Sequence, residues 1–176
     1  MATTKDYVKL HDAWMELFSQ HDWDLFCTFT YKTSVWVDEK VIRDFKRTHF
    51  IASAEQAGIS KNNRTHRRRH RSEELPPYIL AVEPHKSGTL HAHALIGRRR
   101  PGERADSIDK EIIERTWNET VRDAGFTSIT PVRKNNRAKS YMVKTSRYCV
   151  KNPDAYLGWY GLGRMNPTLP VGLALE

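Results

Sequence analysis

Cysteine is scarce: Cys27 and Cys149 are the only two in 176 residues. They stand far apart and outside any Cys-x-x-Cys spacing, which argues against a disulfide-framed secreted fold and a cysteine-built zinc knuckle. Both read as reduced core thiols. No apolar run reaches the roughly 18 residues that a membrane helix needs, and the first ten residues, MATTKDYVKL, have no hydrophobic signal core. Neither membrane insertion nor secretion is written in, and an intracellular setting is expected. No GxxxxGK[ST] sequence occurs, so a phosphate-cradling loop for helicase activity is missing. Neither an internal repeat nor a second domain is evident, and a single domain over residues 1–176 is expected.

Acid is also in short supply. Asp and Glu number 21 against 29 Lys and Arg, which leaves a net charge of +8. Such a balance points to a polyanionic partner, most often nucleic acid. With 39% hydrophobic and 28% charged residues, the composition still suits a globular domain with a real core. The positive charge is clustered. KNNRTHRRRHR, residues 61–71, holds six Lys or Arg and no acid, and GRRRPGER follows at 97–104. Like charges repel within such runs, so a flexible basic loop is expected over about 59–75. Arg67, Arg68 and Arg69 are candidates for gripping phosphates, against a solvated linker or a nuclear import signal.

Apolar periodicity orders the rest. Tyr7, Leu10, Trp14, Leu17 and Phe18 predict an amphipathic helix over 5–20. DLFCTFTYK, 24–32, predicts a strand covered on both faces, because aromatic and β-branched residues occupy both parities. Val41, Ile42, Phe45, Phe50 and Ile51 predict a helix from about Asp38 to Gln56, stopped by Gly58. YILAVE and LHAHALIG predict two strands joined by a short turn around Gly88. Ser107 is a candidate N-cap for a helix carrying Ile108, Ile112, Ile113, Trp117 and Val121 and ended by Gly125, before a strand at FTSITPV. A last helix is expected over 137–151, and the Pro- and Gly-rich residues 153–176 read as an irregular tail. The middle of this order is βαββαβ. It predicts an α+β, ferredoxin- or RRM-like fold: an antiparallel sheet with the His-x-His strand central, helices on one face and the other face left for a site.

In LAVEPHKSGTLHAHALIG, residues 80–97, strand alternation places His91 and His93 on one face and Ala92 and Ala94 on the other. An imidazole in so apolar a strand needs a partner. Glu83 can supply it if the hairpin register brings it to that face, which requires an odd-length turn; a three-residue turn using Gly88 satisfies this. Two neutral imidazoles and a carboxylate would bind a divalent cation with positions left open. Core histidines satisfied by hydrogen bonds are the alternative.

A second constellation, AKSYMVKTSRYCVKN at 138–152, contains Tyr-x-x-Lys twice: Tyr141 with Lys144, and Tyr148 with Lys151. On a helix each lysine lies beside its tyrosine, and the two pairs share a face. Packed tyrosines with snorkelling lysines are one reading. The other is a phenolate nucleophile favoured by an adjacent cation.

Together these segments resemble the HUH endonucleases, and within them the rolling-circle replication initiator (Rep) proteins. EPHKSGTLHAH is similar to their motif II, FCTFTY to motif I and SYMVK to motif III, in family order over residues 26–151. The resemblance implies a metal-dependent endonuclease and strand transferase that nicks single-stranded or hairpin origin DNA through a 5′-phosphotyrosine link. It implies Mg²⁺ or Mn²⁺ on His91, His93 and Glu83, and Tyr141 as nucleophile with Lys144 beside it. Tyr148 and Lys151 are the alternative pair. It implies DNA contacts or site support from Thr28, Thr30 and Tyr31, with His85 and Lys86 as further candidate contacts; His85 could also be a metal ligand or only a turn residue. Host replication proteins are candidate partners. The setting would be the cytoplasm with plasmid or phage DNA, or a host nucleus for a eukaryotic virus. A related relaxase or single-tyrosine transposase would share the metal pair. A noncatalytic RRM-like module would need no metal, and a metal-dependent hydrolase would leave no protein–DNA adduct.

Overall fold

A computed structural model describes residues 16, 23–58, 75–85, 88–98, 108–132 and 156–160. Its first strand, β1 (Trp23–Tyr31), alternates as expected: Trp23, Leu25, Cys27 and Phe29 are buried, and the residues between them are less so. Helix α1 (Asp38–Gln56) buries Val41, Phe45, Thr48, His49, Ala52 and Ser53, a stripe at helical spacing. Asp38 and Glu39 place negative charge in its first turn, where the helix dipole is positive. At its far end Gly58 takes φ 69° and donates its N–H to the Glu55 carbonyl, an ending that needs a left-handed residue.

Strands β2 (Tyr78–Pro84) and β3 (Leu90–Gly97) form the predicted hairpin. Helix α2 (Lys110–Thr120) begins later than its expected start. Its N-cap is Asp109, whose side chain accepts the Glu111 N–H at 3.0 Å, whereas Ser107 lies outside the described residues. Ile108, just before the cap, is buried with Ile113 in one cluster, so it staples the helix entry from outside rather than opening the apolar stripe. The helix stops at Thr120, not at Gly125. Gly125 belongs instead to strand β4 (Ala124–Pro131), which starts two residues before the expected run.

The five strands lie in the order β4-β1-β3-β2-β5, every neighbouring pair antiparallel, with the His-x-His strand β3 in the centre. The fold is α+β with a ferredoxin-like core, as the βαββαβ pattern predicts. Strand β5 (Tyr156–Tyr160) corrects the sequence reading, since part of the supposed irregular tail pairs with β2. Its five residues hold a central glycine and follow Pro153, so composition resembled a loop. The tertiary edge of β2 supplies the partner that propensity could not predict. Tyr160 adds to the pairing by stacking on Tyr78, with ring centroids 5.7 Å apart.

Both described helices pack on one face of the sheet. Phe29 meets Trp117 at 4.7 Å and Phe45 at 5.7 Å, and Leu80, Val82, Ala92, Ala94 and Ile96 complete this core. Each such fully buried large side chain contributes roughly 1.5–3 kcal/mol. Arg115 of α2 pairs with Glu55 of α1, and the Asp109 N–H reaches Gln56 Oε1, so the helix ends are tied to each other as well as to the sheet. No described helix is long and apolar enough to cross a membrane. Of the expected helix over 5–20 only Glu16 is described; the expected helix over 137–151 and nearly all of the basic loop lie outside the described residues.

Candidate metal centre

The hairpin register decides the chemistry of the second face, the one away from α1 and α2. Glu83 pairs with His91 and Ala81 with His93, so Glu83 lies opposite one imidazole and diagonal to the other. Pairing continues to Pro84 and Leu90, and the His85 N–H reaches the Thr89 carbonyl at 2.7 Å, with three residues between them in the sequence. Gly88 makes this turn close. It takes φ 85°, and a Cβ there would stand 2.8 Å from Cζ3 of Trp36. An even-length turn would have thrown Glu83 to the helix face.

On that face the three ligand atoms converge. His93 Nε2 lies 3.1 Å from Glu83 Oε1, His91 Nε2 lies 3.6 Å from it, and the two Nε2 atoms are 2.9 Å apart. All three could hold a metal ion: one ligand atom from each lies within 4.8 Å of the others. Two imidazole lone pairs cannot face each other at such a distance without a proton or a cation between them. Two nitrogens and one oxygen form a mixed donor set that leaves coordination positions for water or substrate. The chemistry of the donors therefore fits a divalent cation. Burial alone would raise the Glu83 carboxyl, but hydrogen bonds from His91 and His93, with their charge when protonated, pull it down to about 2. Glu83 thus offers a carboxylate throughout the neutral range.

The imidazoles are held differently. His93 is buried, its Nδ1 lies 3.0 Å from Thr28 Oγ1, and its ring stacks on Phe26 with an interplanar angle of 5°. With Nε2 kept as an acceptor for a cation, Nδ1–H donates to the Thr28 hydroxyl, which fixes tautomer and ring angle together. His91 Nδ1 is also buried but has no hydrogen-bond partner among the described residues. His85 is exposed at the rim, its ring centroid 5.9 Å from that of His91. It does not belong to the three-ligand cluster.

The other sequence candidates separate. Thr28 serves His93, and Thr30 donates its hydroxyl to the Phe126 carbonyl at 2.7 Å. Tyr31 has the parity of Phe29, so it lies on the helix side, where its hydroxyl donates to Asp44 at 3.1 Å beneath the Lys40 ammonium. Burial first, and then the Asp44 charge, push that phenol well above its ordinary range. Strand alternation thus keeps Tyr31 away from the histidines. Lys86, Arg67, Arg68, Arg69, Tyr141, Lys144, Tyr148 and Lys151 lie outside the described residues. The resemblance allowed Thr28 either a DNA contact or site support; its partner depends on the β1–β3 register, in which Thr28 pairs with His93.

No curated protein and no solved structure matches the chain. The profile of a replication-associated protein family matches residues 24–153, about three quarters of the sequence and nearly all of strands β1 to β4, and the chain belongs to that family.

Proposed function

We propose that the protein is an HUH-type endonuclease and strand transferase that nicks single-stranded or hairpin origin DNA to start rolling-circle replication. One observation carries this reading: in a chain of a replication-associated family, Glu83, His91 and His93 converge on the sheet face away from α1 and α2. These three residues would hold Mg²⁺ or Mn²⁺, which when bound polarises the scissile phosphate and offsets its charge. The protein's own groups do the rest. Thr28 and Phe26 hold the His93 ring so that Nε2 faces the site. Tyr141 supplies the nucleophile: its phenolic proton passes to water, its oxygen bonds to phosphorus as the bond to the 3′ oxygen breaks, and the departing 3′ oxygen takes a proton from water to become a 3′-hydroxyl. Lys144, one helical turn away on the expected helix, favours the phenolate and orients the phosphate. One phosphorus–oxygen bond forms as one breaks, so the DNA ends can be rejoined by the reverse transfer without a nucleotide cofactor. Tyr148 and Lys151 repeat the pair and are the alternative nucleophile and its neighbour.

The test is incubation with a panel of single-stranded hairpin oligonucleotides and Mn²⁺, followed by a denaturing gel. A slow-migrating protein–DNA adduct is expected, lost in Tyr141→Phe and lost together with cleavage in His91→Ala. If Tyr148→Phe alone silences the protein, the nucleophile is Tyr148. Cleavage without adduct would identify a hydrolase using water, and DNA binding indifferent to metal would identify a noncatalytic module.

A further inference from the structure

The β1–β4 pairing contains an irregularity that the metal centre does not use. Phe29 pairs with Thr127 and Tyr31 with Ala124, so two residues of β4, Gly125 and Phe126, stand opposite the single residue Thr30. This is a β-bulge, a device that re-aims a side chain and is common beside functional sites. Only glycine fits its first position. A Cβ on Gly125 would lie 2.7 Å from the Tyr31 carbonyl carbon and 2.8 Å from Thr30 Oγ1. The bond from the Thr30 hydroxyl to the Phe126 carbonyl ties the bulge shut.

Phe126 is the side chain so presented. Thr127 pairs with Phe29 on the helix side and Ser128 with Thr28 on the side of the histidines, so alternation sets Phe126 on the latter. It is 73% exposed and has no aromatic partner among the described residues. Among the described residues Trp36, at 64%, is the other large exposed ring, but it lies against the Gly88 turn and has a packing reason to be there. Thr28 pairs with His93, so Thr30, two residues on, stands level with His91, which in turn pairs with Glu83. One row therefore crosses four strands: Phe126, Thr30, His91, Glu83. The ring stands two strand spacings, about 10 Å, from the metal-ligating strand.

We infer that Phe126 is a stacking platform for a base of single-stranded DNA close to the scissile phosphate. This inference rests on the proposed function and names a contact within it. An aromatic ring on a sheet face offers a base its whole π surface, as sheet-based single-strand binders do, and the chain's +8 charge supplies the backbone attraction. The ring itself touches no phosphate.

The experiment measures binding of the full chain to a fluorescent (dT)20 strand by anisotropy, without metal, over a range of salt. Phe126→Ala is expected to weaken binding about 5- to 150-fold, the effect of losing one base–aromatic stack. Phe126→Trp should restore it, and Phe126→Leu should not. Because no phosphate contact is removed, the slope of log affinity against log salt should be unchanged. Mn²⁺ binding by Phe126→Ala should match wild type, which shows that the sheet and its cluster are intact. Binding of Phe126→Ala within about twofold of wild type, or full rescue by leucine, would overturn the inference while leaving the nicking proposal standing. Failure of wild type to bind any single strand would overturn both.

Discussion

Replacing Thr28 by valine removes one hydroxyl and keeps the branched shape, so it tests what that oxygen does for His93 without opening a cavity. Two effects are expected. In the metal-free protein, His93 Nδ1 loses the Thr28 hydrogen bond in a buried site, which costs roughly 0.5–1.5 kcal/mol of stability. In the metal-bound protein, the ring also loses the contact that selects its tautomer. Outer-shell contacts of this kind carry about 10- to 100-fold in metal affinity.

The second effect can be read from heat stability. At a Mn²⁺ concentration 100 times the wild-type dissociation constant, binding stabilises the folded state by about 2.7 kcal/mol. A variant that binds tenfold more weakly retains only about 1.4 kcal/mol under the same conditions. For a chain of this size the lost increment is about 3–5 °C of metal-induced shift in Tm. The assay is therefore a pair of melting curves, with and without Mn²⁺, supported by direct titration of the metal. Thr28→Ser, which keeps the oxygen, should recover most of the shift. If Thr28→Val shows the wild-type metal shift and an affinity within twofold, the hydroxyl does not fix the imidazole, and the asymmetry between His91 and His93 has no functional meaning.

His49 makes stability depend on acid. Full burial, partly offset by a hydrogen bond to the Pro76 backbone, lowers its pKa to about 4, below the ordinary 6.5. As pH falls the unfolded chain takes up this proton first, so the contribution is complete above about pH 6.5 and is lost progressively toward pH 4, at most about 3 kcal/mol. Urea midpoints at pH 7 and 4.5 should differ by less in His49→Phe than in wild type, and an equal difference would refute the assignment. Gly88→Ala should cost roughly 1–2 kcal/mol for its left-handed backbone, with a further strain from the Trp36 ring. Gly88→Asn, which tolerates that conformation, should cost less; thermal melts that rank alanine above asparagine would contradict the turn geometry.

Much of the site was legible because strand alternation is a local rule. His91 and His93 had to share a face; Glu83 could join them only through an odd-length turn, which the sequence allowed and the β2–β3 register supplies. Helix α1 was legible because an apolar stripe and a glycine stop agreed, and the acidic first turn supports the same start. What escaped the sequence depended on partners distant in the chain. Strand β5 exists because β2 offers an edge; the aromatic residues of Tyr156–Tyr160 suit a strand, but Gly158 and the surrounding prolines and glycines hid that signal. The N-cap was misplaced because Ser107 and Asp109 have similar capping chemistry, and choosing between them requires knowing that Ile108 packs outside the helix as a staple.

The same division explains why FCTFTY could be matched to a motif while its residues could not be given roles. Parity separates Tyr31 from Thr28 and Thr30, but only the pairing of β1 with both β3 and β4 says that Thr28 faces His93 and that Thr30 anchors a bulge. A one-residue slip of β1 against β3 would put Cys27 or Phe29 against His93 and leave the imidazole without a hydroxyl. The buried Leu25, Cys27 and Phe29 resist that slip, because it would turn the helix-side core outward. Packing on the helix face thus maintains the hydrogen bond on the other face. The aromatic core around Phe29, Phe45 and Trp117 is part of what holds the histidine in place, although none of these rings comes near the metal ligands in sequence.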